Sequence, residues 1–274
     1  MKLNKLIAIA TISLLSGGIS MAQKALNLED IVAGNVIQTK GIGSMTWLKD
    51  GERYSRLENN KQTGGTDIVA YQAKDNSREV IIPSSLLTDK STGKPIPARS
   101  ISWSADNEKV LIYNNTQRVW RYDTRGDYWV LNLKDGALRQ LGKGMPESSM
   151  MFAKFSPDGT RVAYVSNNNI YVEDIDSGKI TQLTKDGSDT IVNGTFDWVY
   201  EEEFSCRDGF RWSPDGKHIA YWQSDTKGTG VFDIINNVDS IYAKVIHFPY
   251  PKAGTTNSAV KAVSYTHLTL PTKA

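Results

Sequence analysis

The feature that most constrains the fold is a segment that recurs four times. Met45-Thr-Trp-Leu-Lys-Asp-Gly is followed by Ile101-Ser-Trp-Ser-Ala-Asp-Asn, Ala153-Lys-Phe-Ser-Pro-Asp-Gly and Phe210-Arg-Trp-Ser-Pro-Asp-Gly. Aligned on the aromatic, the copies fall at Trp47, Trp103, Phe155 and Trp212, at steps of 56, 52 and 57 residues. A near-constant period of this kind marks a repeat architecture. In each copy an aromatic ends one strand and a tight turn follows. In the Ser-Pro-Asp-Gly copies Pro presets its own backbone angle and Gly tolerates a positive φ. An alternating strand comes next, as in Arg161-Val-Ala-Tyr-Val. Two further strands are expected at 169–174 and 179–184, and likewise at 128–133 and 138–141. Four strands per repeat is the content of one propeller blade. The prediction is an all-β fold: a partial β-propeller of about four blades of four-stranded antiparallel sheet. The fourth blade reads as incomplete or merged with later strands, and an open propeller leaves unpaired strand edges. A β-sandwich with similar hairpins is the alternative.

The two ends read differently from the body. Lys2 and Lys5 precede an apolar run from Leu6 to Leu15 and a small-residue pattern ending at Ala22. This is the layout of a secretory signal peptide, expected at 1–22. The run is about half the roughly 20 residues that cross a bilayer. The mature chain is therefore expected to be exported, periplasmic or extracellular, with no membrane span after cleavage; an uncleaved anchor is the alternative. The body, 23–262, holds the propeller blades. Residues 263–274, including Ser264-Tyr-Thr-His-Leu, match no blade pattern and are expected to be a non-native read-through tail.

Charge excludes one class of partner. The formal net charge is +2, and Arg118, Arg121 and Arg125 are interrupted by Asp123 and Asp127. No basic stripe for a nucleic acid results. Cys206 is the single cysteine, so neither an intrachain disulfide nor a Cys-based metal site is available. It is expected to be a small buried or half-buried residue. No metal or organic cofactor is indicated.

The strongest local feature is Asp197-Trp-Val-Tyr-Glu-Glu-Glu-Phe, outside the strand pattern. Three successive carboxylates repel one another unless they are solvated or matched to a cation. Trp198, Val199, Tyr200 and Phe204 flank the run as candidate anchors. A solvated loop or short helix is the plain alternative. The nucleophile turn Gly-x-Ser-x-Gly does not occur. None of His218, His247 and His267 reads as a triad base, so no catalytic residue is assigned.

The motif resembles the glutamate motif of the dipeptidyl peptidase IV family, whose members join an eight-bladed propeller to an α/β-hydrolase domain. The resemblance implies that Glu202 and Glu203 bind the free N-terminal ammonium of a peptide. Two carboxylates around one ammonium give charge-assisted hydrogen bonds. Val119-Trp-Arg-Tyr resembles the family's Trp-Arg element, which implies that Arg121 contacts a substrate carbonyl beside the glutamates. Phe248-Pro-Tyr-Pro-Lys-Ala-Gly, with Asn257 and Val260-Lys261, resembles a stretch without catalytic role. The implied function is the substrate-recognition portion of an exported serine exopeptidase that releases N-terminal dipeptides with Pro or Ala second. The implied partners are peptide N-termini, a C-terminal hydrolase domain missing from this chain, and a second copy in a full-length homodimer. Without that domain the chain is expected to be inactive alone. A non-enzymatic periplasmic β-propeller that binds peptides or proteins is the alternative.

Overall fold

The computed structural model describes residues 27–32, 41 and 43–266. The expected signal peptide and His267, with the rest of the tail beyond Thr266, lie outside these residues. A five-residue helix, α1 (Leu28–Val32), belongs to the N-terminal unit 1–43. The second unit, from Ser44 onward, is almost entirely β.

Four antiparallel four-stranded sheets follow one another along the chain. The first holds β1 (Thr46–Trp47), β2 (Arg53–Asn59), β3 (Thr66–Gln72) and β4 (Arg78–Ile82). A short pair, β5 (Thr88–Asp89) and β6 (Lys94–Pro95), links it to the next. The second sheet holds β7 (Ser100–Trp103), β8 (Lys109–Val119), β9 (Tyr122–Asn132) and β10 (Ala137–Gln140). The third holds β11 (Met151–Phe155), β12 (Arg161–Ser166), β13 (Asn169–Asp174) and β14 (Ile180–Gln182). In the fourth, β15 (Ile191–Asn193) and β16 (Phe210–Trp212) both pair with β17 (Ile219–Asp225). A hairpin, β18 (Val231–Asn236) and β19 (Lys244–Pro249), then intervenes. Strand β20 (Ala259–Tyr265) returns to pair with β17 and supplies the fourth strand. The fourth blade is thus completed by a later strand, as its merged reading anticipated. Strand β20 runs across the expected tail boundary at 262.

The repeat is structural. Trp47 pairs with Tyr54, Trp103 with Val110, Phe155 with Val162 and Trp212 with Ile219, the same register in every copy. The turn also repeats. The Ser156 hydroxyl donates to Asp158 at 2.5 Å and accepts from the Arg161 amide at 3.0 Å. Ser104 and Ser213 do the same with Asp106 and Asp215. The hydroxyl donors Ser104 and Ser213 hold the Asp106 and Asp215 carboxyls below their ordinary range. Gly159 and Gly216 take φ of +67° and +68° in these turns, and Asn107 fills the same place at +60°.

Strand alternation makes the sheets stack. Successive side chains of a strand point to opposite faces. On β8, Val110 and Ile112 join Ile68, Ile82 and Leu131 in a core between the first and second sheets. Leu111 points the other way, into a core with Tyr128, Val162 and Tyr164 between the second and third. Ala163 and Val165 of β12 face Phe210 and Ile219 of the fourth. The central strands are therefore apolar on both faces, and each fully buried Ile, Val or Leu contributes roughly 1.5–3 kcal/mol. The repeat tryptophans tie neighbouring sheets together. The Trp103 indole donates to Ser55 Oγ at 2.9 Å and the Trp212 indole to the Lys154 carbonyl at 3.2 Å. No described helix is long and apolar enough to cross a membrane.

Candidate peptide-amine site

The glutamate segment is a loop closed at its neck by backbone. Strands β15 and β16 lie in line along one edge of β17, and residues 194–209 leave the sheet between them. The Gly209 amide donates to the Gly194 carbonyl at 3.1 Å, and Trp222 of β17 bonds both ends of the neck. A Cβ on Gly209 would lie 3.0 Å from the Gly194 carbonyl carbon and the Thr195 nitrogen, so a side chain there would push the two arms apart by a few tenths of an ångström. The return arm is fixed to the third sheet. Lys154 Nζ of β11 donates to Asp208 at 2.5 Å and lies 3.5 Å from the Phe210 ring centroid. Burial pulls this lysine down to about 8, against the pull of Asp208.

Inside the loop a single helix, α2 (Trp198–Glu203), carries the three glutamates. Asp197 caps it: Oδ1 accepts from the Tyr200 amide at 3.2 Å, and Oδ2 accepts the Ser258 hydroxyl. At the other end the Cys206 amide donates to the Tyr200 carbonyl at 2.9 Å, with Cys206 half-buried. Helical spacing of about 100° per residue splays the three carboxylates apart. Glu201 is buried at 5% exposure and Glu203 is exposed. The Glu202 side chain is only 4% exposed and turns toward Arg121.

Arg121 arrives from the second sheet. Strands β8 and β9 form a long hairpin with register shifts beyond Asn114, and such bulges bend and twist a ribbon. Trp120 and Arg121 are its two-residue turn, between the paired Val119 and Tyr122. Trp120 has φ of +51°, a conformation that strains a bulky side chain. Packing offsets the strain: its indole lies 4.8 Å from Phe248, which lies 5.6 Å from Trp198, itself 4.5 Å from Tyr250. This aromatic cluster seats the hairpin tip against α2. Arg121 Nε comes within 2.7 Å of Glu202 Oε2, with the Arg121 side chain 78% exposed. The other oxygen, Glu202 Oε1, is buried and has no hydrogen-bond partner. Such an atom suits a multi-donor cation, since an ammonium carries three N–H donors and no acceptor.

A second connection joins the same two elements. The Arg207 guanidinium lies 3.6 Å from the Tyr122 ring centroid, and its Nε lies 3.8 Å from Glu201 Oε1. Burial pushes the Glu201 carboxyl up to about 7; Arg207 and Arg125 pull it down, and Glu202 adds to the rise.

The structure thus brings Arg121 and Glu202 together and leaves Glu203 beside them at the exposed end of α2. Arg121 sits in the turn of the β8–β9 hairpin. Trp198 is the anchor expected of it, whereas Phe204 is exposed and touches Tyr200 only from outside. Sequence reasoning missed Phe248, Tyr250 and Ser258, which lie in the stretch read as having no catalytic role. The available signal was the pair of aromatics Phe248 and Tyr250 two residues apart at the end of β19. Tyr122, Glu201 and Arg207 carry no motif. His247 bonds Asp233 at 2.6 Å on the exposed β18–β19 hairpin. Among the described residues no cluster of His, Cys, Asp or Glu could hold a metal ion.

Comparison with known proteins agrees with this architecture. Dipeptidyl aminopeptidase B of Saccharomyces cerevisiae is 31% identical over 242 residues, which is 83% of this chain and 28% of the yeast protein. Prolyl endopeptidase FAP of Mus musculus is 29% identical over 241 residues, 87% of this chain and 30% of the mouse protein. The chain thus spans less than a third of the length of these relatives. The crystal structure of Porphyromonas gingivalis dipeptidyl peptidase 4 superposes with a TM-score of 0.77 at 26% identity, covering 92% of this chain and 36% of that one. Residues 104–269 match the family model described as the dipeptidyl peptidase IV (DPP IV) N-terminal region. That match takes in the repeats from the second turn onward, the Arg121 hairpin and the whole glutamate loop, and the chain belongs to this family.

Proposed function

We propose that the chain is the substrate-recognition part of an exported dipeptidyl peptidase IV-like serine exopeptidase, and that its site grips the free amine of a peptide. The observation that carries this reading is the pairing of exposed Arg121 with buried Glu202, whose second oxygen lacks a donor. A terminal ammonium would bond Glu202 Oε1 and Glu203 together. Arg121 would remain available to a carbonyl further along the peptide. A chain with a blocked amine would leave the acids unpaired, and an unpaired buried charge is costly. This registers the peptide by its end, as an enzyme removing dipeptides requires. Cleavage itself, with Pro or Ala second, would fall to a hydrolase domain of the kind the family joins to its propeller, with this site supplying the grip on the peptide end. Export rests on the signal-like residues 1–22.

A second copy is the remaining partner. The β18–β19 hairpin exposes Val231, Phe232, Ile235, Val245 and Ile246, and its turn exposes Ile241 and Tyr242. Apolar exposure on this scale is the usual mark of a protein contact. Sedimentation of the chain with and without Ile241→Lys and Tyr242→Lys would decide whether that contact is a homodimer.

The amine reading is tested by titrating the chain with the tripeptide Ala-Pro-Ala. Glu202→Gln and Glu203→Gln should each weaken binding by about tenfold or more, as expected for charge-assisted hydrogen bonds. Unchanged affinity in both variants would overturn it.

A further inference from the structure

The ion pair of Arg121 and Glu202 joins two elements from different sheets, the β8–β9 hairpin tip and α2. Its geometry depends on how those elements are held. Arg121 has a long, mostly exposed side chain and cannot fix itself. Its neighbour Tyr122 is fixed, because the Arg207 guanidinium lies over its ring at 3.6 Å. Arg207 is held in turn from two directions. Its carbonyl accepts the Thr195 hydroxyl at 2.9 Å, and its Nε faces Glu201 Oε1 at 3.8 Å. Both of those charged atoms are buried, and neither has a hydrogen-bond partner. They attract across a gap from which water is excluded, where charge interactions are stronger than in solvent.

We propose that Arg207 is a positioning residue: wedged between Glu201 and the Tyr122 ring, it locks the hairpin tip to the glutamate helix and sets the spacing between Glu202, which takes the peptide amine, and Arg121, which takes a carbonyl further along the peptide. This rests on the amine-recognition reading and gives the first glutamate of the motif a task distinct from that of the other two. Glu201 faces Arg207 and Arg125 as cations and Glu202 as an anion. Its burial is costly when ionised, and the return on that cost is the orientation of Arg207. The planar guanidinium is needed, because a Lys ammonium can keep the charge but cannot lie flat on the ring.

The test is a double-mutant cycle on the full chain, read by calorimetric titration with Ala-Pro-Ala. Arg207→Met should weaken binding by about tenfold, within the range of coupling between residues in one network. Arg207→Lys should recover only a small part of that loss. In an Arg121→Met background, Arg207→Met should have little further effect, because the route through Tyr122 then ends at a missing side chain. A residue needed only for folding would show the same fold-loss in both backgrounds. Equal losses there, or wild-type affinity in Arg207→Met, would overturn the proposal. Should Arg207→Met fail to fold, Tyr122→Leu carries the same cycle from the opposite element with the same expectation. If Arg121→Met and Glu202→Gln bind the peptide as the wild type does, the recognition reading itself has failed. If they lose binding while Arg207→Met keeps it, only the positioning role has failed.

Discussion

Gly209 and Gly194 touch backbone to backbone, the Gly209 amide donating to the Gly194 carbonyl at 3.1 Å. A sixteen-residue excursion from an otherwise regular blade strand hangs on this pair, which makes the site loop-borne yet rigidly rooted. A Cβ on Gly194 would meet Ile170 Cγ1 at 2.8 Å from a backbone at φ +74°. Overpacking and left-handed strain then act together. Gly194→Ala is expected to cost about 2–4 kcal/mol, seen as a lower urea midpoint at unchanged slope. Gly209→Ala, with φ outside the left-handed region and its nearest atoms at 3.0 Å, should cost less.

The indoles that cross between sheets give a second expectation. Trp103 donates to Ser55, which is itself buried. Trp103→Phe removes the donor, so Ser55 Oγ loses a partner and some volume is left unfilled. A cost of about 1–2 kcal/mol is expected, measured by thermal unfolding. The third repeat already carries Phe at this place, Phe155, so Phe155→Leu should show the packing part of the cost without the hydrogen bond.

Glu201 predicts a pH dependence. Burial raises its folded value from 4.5 to about 7. Between those pH values the folded state keeps a proton that the unfolded state has lost, so stability falls as pH rises through the window and levels off above it. Glu201→Gln cannot ionise and removes this slope. Relative to wild type, the Gln variant should gain on the order of 3 kcal/mol between pH 4 and pH 8. Chemical denaturation at both pH values checks this; parallel changes in the two proteins would show that folding does not shift the Glu201 titration.

The blades were legible because their signals are local. Aromatic, turn and alternating strand all lie within a dozen residues; the strand expected at 169–174 appears as β13, and that expected at 128–133 as the end of β9, which stops one residue earlier at Asn132. The completion of the fourth blade was only partly legible, since β20 comes after an inserted hairpin that shares none of the repeat's pattern. For the site, Glu202 and Arg121 came from resemblance to a family, not from periodicity. Their meeting depends on the length and bulges of the β8–β9 hairpin, which carries a two-residue Trp-Arg turn no turn rule would favour. Arg207 was unreadable for a related reason: its partners are a tyrosine on another sheet and a glutamate in a run of three, and nothing in the spacing says which glutamate turns inward.

The central claim is that this site reads a free peptide amine. The most direct measurement compares calorimetric titrations of the chain with Ala-Pro-Ala and with N-acetyl-Ala-Pro-Ala at pH 8, where Glu201 is ionised. The account predicts binding of the free peptide and a loss of about a hundredfold or more for the acetylated one, as expected when a buried charged group loses its partner. Equal affinity for the two peptides would contradict it.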